Sequence, residues 1–306
     1  MTRYLAARFV QSLLVILGVL FLVFVILQLT GDPASLMLPP EATIEDIERL
    51  RHQMGFDRPL PIQFLHFLAG AVRGDFGRSL RYCDQPALAI VLERFPATIE
   101  LALATLAWSI PVAFVLGLVA AVRRASLAEH SAMVTALVGQ SMPSFWLGLM
   151  LILIFSVNLG LLPSSGRGSL AHVVLPAVTL GGFFMARLTR LVRSGLLDVL
   201  GQDYVRTARA KGLAERVVVA RHALKNAAIP IVTIIGLDVG ALLGGAVITE
   251  TVFAWPGVGR LAIDSIYVRD FPVVQADVFI IALAFIVINF VVDVLYTWLD
   301  PRVRLT

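Results

Sequence analysis

The sequence predicts an all-α integral membrane protein with six transmembrane helices, and two observations carry this prediction. Apolar residues make up 58% of the 306 residues and charged residues only 15%, and the mean hydropathy is +0.86. Such a composition is typical of a chain whose solvent is a lipid bilayer. The chain also contains six long stretches with at most one charged residue inside each, and a membrane helix needs about 20 mostly apolar residues.

These six stretches define the predicted spans. They occupy residues 9–31, 101–122, 131–166, 168–186, 226–249 and 278–299. Asp238 interrupts the fifth stretch and Asp293 the sixth. The first stretch is longer than the apolar core of a signal peptide and no small-residue cleavage site follows it, so we interpret it as a membrane helix. Cys83 is the only cysteine, which excludes an internal disulfide and a cysteine-based metal site.

Basic residues in the segments between spans predict the orientation in the membrane. Lysine and arginine are concentrated in residues 1–8, 123–124, 187–225 and 302–304. Short cytoplasmic segments carry an excess of these residues, so both termini are expected to be cytoplasmic. The segment 187–225 alone has nine basic residues against three acidic ones. The net charge of +4 therefore follows from membrane orientation and does not indicate nucleic-acid binding.

The segment 32–95 is expected to form an external lid between the first two spans. Thr43 can cap a helix that Gly55 ends, and Pro61 can start a second helix with an apolar side. An apolar side mostly indicates burial, so a packed lid is the plain interpretation and direct solute binding is the alternative.

Motifs for catalysis are absent from the sequence. The chain has no Gly-Lys dipeptide, so it lacks a phosphate-binding loop. Its five histidines lack the i, i+4 spacing of a zinc-protease helix, and Gly139-Gln140-Ser141 lacks the second glycine of a nucleophile elbow. We expect a protein that is not an enzyme and that holds no cofactor and no metal.

The most informative stretch lies in the predicted cytoplasmic segment, from Asp203 to Asn226. It is expected to form two short helices. The small side chains of Thr207, Ala208 and Ala210 give the first helix a thin surface, by which we mean one that could enter a groove on a partner. Gly212 can adopt the left-handed conformation that ends this helix. From the residues alone, this segment is either a docking element for a partner or a basic loop attracted to anionic lipid headgroups.

This stretch resembles the coupling loop of permeases from binding-protein-dependent ABC importers. The family pattern is Glu-Ala-Ala, three residues, Gly, and then, after eleven further residues, Leu before Pro. Arg206, Thr207 and Ala208 fall on the first three positions, Gly212 on the glycine and Leu224 on the leucine, whereas Arg206 and Lys225 depart from the Glu and the Pro. These departures resemble the dipeptide, oligopeptide and nickel branch. The resemblance implies that coupling residues are Asp203, Tyr204, Arg206, Thr207, Ala208, Ala210, Lys211, Gly212 and Leu224.

Other motifs extend the resemblance over nearly the whole chain. They are Thr30-Gly31-Asp32-Pro33, Gly74-Asp75-Phe76-Gly77-Arg78-Ser79, Ser141-Met142-Pro143-Ser144-Phe145-Trp146-Leu147-Gly148, Glu250-Thr251-Val252-Phe253 and Pro256-Gly257-Val258-Gly259. The resemblance implies a multi-pass subunit of the bacterial cytoplasmic (inner) membrane, with a second homologous permease subunit, two ATPase subunits and an external solute-binding protein as partners. ATP and Mg²⁺ would be bound by the ATPase partners. The implied solute is a peptide, with nickel or glutathione as alternatives.

Polar features within the predicted spans give candidates for the translocation pathway. Asp238 is expected to face the bundle or a wet cavity, either in the pathway or as a polar tie to another helix. Pro143 interrupts the third span and frees backbone groups, so Ser141, Pro143 and Ser144 either line the pathway or form a structural kink. An ion-coupled carrier that uses Asp238 and Asp293, or an intramembrane hydrolase, is the alternative from another class.

The predicted orientation can be tested by cysteine labelling in intact cells. A membrane-impermeant maleimide should label Cys83 and, in a Cys83→Ser background, Arg167→Cys, because both positions are expected outside. It should not label Arg124→Cys, Lys211→Cys or Arg302→Cys until the membrane is permeabilised. Labelling of Lys211→Cys from outside would contradict the six-span arrangement.

Overall fold

The computed structural model describes residues 2–30, 43–55, 57–82 and 85–299. Eleven labelled helices are formed in this part of the chain. They are α1 (Thr2–Thr30), α2 (Ile44–Met54), α3 (Leu60–Arg73), α4 (Ala87–Val122), α5 (Leu127–Ser141), α6 (Ser144–Leu151), α7 (Leu170–Leu200), α8 (Asp203–Ala210), α9 (Leu224–Val252), α10 (Val258–Tyr267) and α11 (Phe271–Leu299). A π-helical turn, Ile152–Asn158, follows α6, and another, Val218–Ala223, precedes α9 after the short helix Glu215–Val217. The predicted all-α class is confirmed.

The predicted spans coincide with helices, but several helices are longer than the charge-free stretches. α4 begins at Ala87, and α7 runs to Leu200 through three arginines. Residues 187–200 are therefore helical and not a loop, because arginine is a good helix former and does not end a helix. By length and composition, three helices among the described residues could each cross a membrane, in α4, α7 and α11, and a bent pair could add a fourth. The count of six spans stays a prediction.

The bent pair is the predicted third span, and it departs from a simple kink. α5 ends at Ser141, the next helix begins at Ser144, and their axes differ by 106°. Pro143 lacks a backbone N–H and forces the residue before it out of the helical region, so Met142 is extended with φ −86° and ψ 127°. The proline thus breaks the helix instead of bending it.

The chain divides into two compact units. Unit 1 comprises residues 1–98 and 256–287, and unit 2 comprises residues 99–255 and 288–306. Cys83, Arg302 and residues 31–33 lie outside the described residues, and so does the side chain of Asp293.

Unit 1 contains both of the helices that the sequence predicts for the external lid. Thr43 forms a capping box with Asp46 at the start of α2, and Gly55 ends α2 with φ 71°. α3 begins at Leu60, with a proline in its first turn. Its apolar side packs on α1, where the ring of Phe64 lies 5.5 Å from that of Phe24. The last nine residues of the predicted lid, 87–95, are the start of α4.

A tight turn in unit 1 follows α3 and explains part of the motif at residues 74–79. Gly74 and Gly77 adopt positive φ angles of 74° and 85°, and the amide of Gly77 donates to the Asp75 carboxylate at 3.0 Å. The Ser79 hydroxyl donates to Asp270, just before α11, and accepts the amide of Tyr82 at 2.9 Å. Ser79 and Asp270 are both buried, so this contact fixes the turn to the start of α11.

Unit 2 is organised around α7, which is more deeply buried than α4 or α11. It packs most extensively against α5 and α9. Glycines allow other helices to approach closely. A Cβ on Gly117 of α4 would lie 2.7 Å from the backbone carbonyl oxygen of Thr189, and a Cβ on Gly181 of α7 would lie 2.7 Å from the Trp108 ring. Gly236 lies in the same way against the Val292 side chain, whereas a Cβ on Gly244 would have no atom of the described residues within 4 Å.

The close approach of α4 to α7 predicts that Gly117→Ala destabilises the protein. The added methyl group would overlap the Thr189 carbonyl and the Val192 side chain, and such overpacking costs about 1–3 kcal/mol. Thermal unfolding of the purified protein in detergent should therefore shift to lower temperature. Gly18→Ala is the matched control, because a Cβ at that position would have no atom within 4 Å in the part of the chain that the structure describes. Equal shifts in the two variants would contradict the packing explanation.

Candidate functional site

The segment 203–226 of unit 2 folds on its own small apolar core. Val205 and Ala208, on one side of α8, are buried against Val218, and Val199 and Leu200 at the end of α7 pack against them. The spacing of three between Val205 and Ala208 places both side chains on the inner side of the helix. α8 is therefore attached to the end of α7 instead of lying free at the surface.

Gly212 ends α8 in the conformation that the sequence predicts. Its φ is 77°, and its amide donates to the Arg209 carbonyl oxygen at 2.9 Å. The following amide, of Leu213, donates to the Ala208 carbonyl oxygen at 3.4 Å. These bonds satisfy carbonyl groups at the helix end, and a positive φ favours glycine because a Cβ would clash with the backbone. The predicted left-handed turn is confirmed.

Two polar contacts that the sequence analysis missed fix the chain on both sides of this turn. Arg209 donates to Glu215 through Nε at 3.1 Å and through Nη2 at 2.7 Å. Hydrogen bonding to the guanidinium holds the pKa of the Glu215 carboxyl below its usual range. The Tyr204 hydroxyl accepts a hydrogen bond from the Asn226 side-chain amide at 2.9 Å. The sequence contained a signal for the Arg209–Glu215 contact, namely opposite charges on the two sides of a glycine that ends a helix. It contained no signal for the contact between Asn226 and Tyr204.

Most of the predicted coupling residues share the outer surface of this segment. The exposed ones are Asp203, Tyr204, Arg206, Thr207, Ala210, Lys211 and Gly212. Ala208 is not among them, because it is 5% exposed and belongs to the inner core. The thin surface therefore consists of Thr207 and Ala210, without Ala208. Leu224 is half-buried.

The exposed side of the whole segment is strongly basic. Besides Arg206 and Lys211, the exposed cations include Arg216, Arg221 and Lys225. A basic surface attracts acidic partners and anionic headgroups alike. The charge by itself therefore leaves open the choice between protein docking and lipid attraction.

The residues at the break between α5 and α6 form the first part of the candidate pathway. Ser141 and Pro143 are exposed, and Ser144 is half-buried. Gly148, one turn further, is buried, and a Cβ there would lie 3.1 Å from the Phe253 ring. The first turn of α6 is therefore open while its second turn is packed against the end of α9.

Asp238 lies apart from these serines and pairs with an arginine of α7. Arg187 donates from Nη1 to Oδ1 of Asp238 at 2.7 Å, and among the described residues this is the only hydrogen bond of the Asp238 side chain. The carboxylate is 10% exposed. A polar tie to a neighbouring helix, one of the two alternatives from the sequence, is thus present between α7 and α9.

A second ion pair of α7 has no counterpart among the sequence predictions. Arg193 donates through Nε to Oε1 of Glu129 at 2.9 Å and through Nη2 to the same oxygen. The other oxygen, Oε2, accepts the amide of Ala125, which has a positive φ of 58°. α7 is therefore joined by arginine to both of its main neighbours, α5 and α9. Because Arg193 falls in a segment predicted as a loop, its pairing with a residue 64 positions away had no sequence signal.

The described part of the chain contains no group of three or more His, Cys, Asp or Glu side chains that could hold a metal ion.

Two family models match the chain along its length. Residues 113–305 match the model described as binding-protein-dependent transport system inner membrane component. Residues 1–116 match the model for the N-terminal part of such membrane components.

Curated relatives match over almost the entire chain. The glutathione transport system permease protein GsiC of Escherichia coli strain K12 is 44% identical over 300 residues, which cover 96% of this chain and 98% of the relative. The protein of the same name from Shigella dysenteriae serotype 1 (strain Sd197) matches equally well. The matched length includes residues of both units.

Solved structures show the same fold at low sequence identity. A chain of the MetNI methionine ABC transporter in inward-facing conformations aligns with a TM-score of 0.58 and 18% identity, over 69% of this chain and 96% of that chain. A chain of an amino acid ABC transporter crystallised with histidines aligns with a TM-score of 0.50 and 17% identity, over 70% and 94% of the two chains.

The inner core of the segment 203–226 predicts different effects of two similar substitutions. Ala208→Leu inserts three carbon atoms between α8 and Val218, so it should destabilise the segment by roughly 1–3 kcal/mol. Ala210→Leu is exposed and should leave the local fold unchanged. Limited trypsin digestion of the purified protein, whose sites include Arg206 and Lys211, measures this opening directly. Equal cleavage rates in the two variants would show that Ala208 is not part of the core.

Proposed function

The chain belongs to the family of inner-membrane components of binding-protein-dependent transport systems, and from this premise we propose its function. We infer that it forms the pathway of an ATP-driven importer for peptides or glutathione. It also couples that pathway to separate ATPase subunits. The chain is a permease subunit of an ABC importer in the bacterial inner membrane. The single observation that carries the coupling part is the segment 203–226, an ordered basic element attached to the end of α7. ATP and Mg²⁺ are assigned to the partner subunits.

The proposed arrangement in the membrane has six spans with both termini in the cytoplasm. α4, α7 and α11 are supported by their length and apolar character. α1, the bent pair of α5 with residues 144–158, and α9 complete the six. This arrangement places the segment 203–226 on the cytoplasmic side and α2 and α3 outside, as the lid.

We propose that the exposed side of α8 docks into an ATPase subunit. Thr207 and Ala210 leave room for close approach, and the cations around them suit an acidic groove. Because Val205 and Ala208 pack on the end of α7 and Tyr204 bonds to Asn226 near the start of α9, a push on α8 reaches two helices of unit 2 at once. Such a linkage converts closure of the ATPase subunits into a change of helix packing.

The proposed solute is a small peptide, with glutathione favoured by the name of the 44% identical relatives. Nickel remains the alternative from the same branch. A second homologous permease subunit and an external solute-binding protein are the remaining proposed partners. An ion-coupled carrier based on Asp238 and Asp293 is disfavoured, because Asp238 is already paired with Arg187.

Reconstitution tests the proposal and the role of Gly212 together. Complexes of this chain with its partner permease and ATPase subunits, in proteoliposomes with the loaded solute-binding protein, should take up radiolabelled glutathione or peptide only with ATP. Gly212→Val should reduce uptake per ATP hydrolysed at least severalfold, because a β-branched residue resists the positive φ of this turn at a cost of about 1–2 kcal/mol. Subunit stoichiometry measured in parallel separates uncoupling from loss of the ATPase subunits.

Lys211→Ala is the matched control at the adjacent position. It removes a charge without changing the backbone preference, so the docking interpretation expects a smaller defect than for Gly212→Val. A larger defect that varies with the anionic lipid content of the proteoliposomes would favour lipid attraction instead. Unchanged coupling in Gly212→Val would remove the special role of the turn.

A further inference from the structure

The ion pair between Arg187 and Asp238 is asymmetric in its exposure. The arginine side chain is 46% exposed, whereas the carboxylate that it contacts is 10% exposed. We propose that Arg187 faces the translocation pathway and binds a carboxylate group of the passing solute, while Asp238 holds the guanidinium in position when no solute is present. This assignment rests on the proposed function and specifies the chemistry of its pathway.

Both residues lie deep within their helices. Arg187 and Asp238 are about 20 Å along the helix axes from Leu200 and Leu224, at 1.5 Å per residue. α7 is one of the helices whose length and composition suit a membrane span. Asp238 lies at the centre of the predicted span 226–249, and its contact with Arg187 brings the guanidinium to the same depth, although Arg187 comes directly after the predicted span 168–186. An arginine exposed there does not face lipid without a large penalty, so its open side faces water, solute or a second subunit.

From Arg187 to Ser194 the exposed side of α7 carries more polarity than a lipid-facing surface allows, whereas Phe183, one turn earlier on the same side, is exposed and apolar. Arg190 and Ser194 follow Arg187 at helical spacing, and all three are exposed. The other sides of the helix in this region consist of buried residues such as Leu188, Thr189 and Val192. A polar stripe that begins at Arg187, with buried residues on the other sides of this part of the helix, is the pattern expected for the wall of a water-filled passage.

The hydrogen bonds of the pair leave capacity on both partners. Guanidinium has five N–H donors, and in the part of the chain that the structure describes Arg187 uses only Nη1, for its bond to Oδ1 of Asp238. Oδ2 of Asp238 is buried without a hydrogen-bond partner among the described residues. A purely structural buried pair needs such groups to be satisfied.

The other ion pair of α7 provides the contrast. Arg193 contacts Glu129 through two nitrogens, and the second oxygen of Glu129 accepts a backbone amide. Both carboxylate oxygens of Glu129 are thus occupied. The Glu129 pair has the features of a structural clamp, whereas the Asp238 pair keeps donors available for a ligand.

The chemistry of the solute fits these donors. Peptides and glutathione carry carboxylates, and a guanidinium recognises a carboxylate through two parallel N–H···O bonds. Asp238 competes for the same cation and neutralises it in the empty state. This competition keeps binding weak enough for release, which transport requires as much as binding.

The test compares two solutes and removes the cation without leaving a buried acid unpaired. Reconstituted complexes are supplied with solute-binding protein loaded with either glutathione or its diethyl ester, in which both carboxylates are neutral. The informative quantity is the glutathione-to-ester uptake ratio of each variant, divided by the same ratio of the wild-type complex. The binding protein contributes equally to the ratio of the variant and to the ratio of the wild-type complex, so its contribution cancels when one is divided by the other. The variants are Arg187→Gln combined with Asp238→Asn, and Asp238→Asn alone.

We expect the ratio to fall about tenfold in the double variant, the size of a lost charge-assisted hydrogen bond, and to stay at or above the wild-type value in Asp238→Asn alone. Equal loss of both solutes in the double variant, with subunit stoichiometry intact, would show a structural role and overturn the inference. An unchanged ratio would overturn it as well.

Two further measurements complete the test. Absence of ATP-dependent uptake of either solute by the wild-type complex would overturn the proposed solute class, and with it the basis of the inference. Arg187→Lys provides a second measurement of the same uptake ratio. It should retain part of the preference for glutathione over the ester, because lysine keeps the positive charge but lacks the two parallel N–H donors of the guanidinium.

Discussion

Unit 2 depends on one constraint, the placement of arginine side chains on a helix that is otherwise buried. α7 carries Arg187 and Arg193 toward acids on its two main neighbours, Asp238 on α9 and Glu129 on α5. A buried charge without a partner is strongly destabilising. The Arg193–Glu129 pair, in which both carboxylate oxygens are occupied, therefore fixes the rotation of α7 relative to α5. The glycine contacts with α4 then set how closely the remaining helix approaches.

The same helix links the membrane part of unit 2 to the segment 203–226. Val199 and Leu200 complete the core of that segment, so α8 is packed against the end of α7. The exposed ion pair between Arg209 and Glu215 joins the residues before and after the turn at Gly212. Its Glu215 carboxyl has a lowered pKa, so the pair contributes stability above the unfolded pKa and loses it as the pH falls through the folded pKa. At neutral pH the pair therefore contributes its stabilisation to the turn at Gly212.

Several sequence expectations differ from the structure for identifiable reasons. A charge-free stretch indicates which residues are compatible with lipid, but it does not indicate where a helix begins or ends. The helices α4 and α7 therefore extend beyond the charge-free stretches that predict them. Pro143 predicts a kinked span, but the extended conformation of Met142 adds to the missing N–H and breaks the helix by 106°. The small size of Ala208 predicts an exposed surface position, yet its place one turn after Val205 directs it inward.

Local chemistry determined the features that the sequence by itself predicts correctly: the all-α class, the capping of α2 by Thr43 and Gly55, and the left-handed turn at Gly212, since each depends on neighbours within a few residues. Hydrophobic stretches likewise located the apolar helices. The partners of Asp238 and Glu129, the unequal exposure of Arg187 and Asp238, and the inward position of Ala208 were decided only by tertiary structure. These features depend on contacts between residues far apart in the chain. A single sequence does not indicate which distant charged residue will pair with a given one.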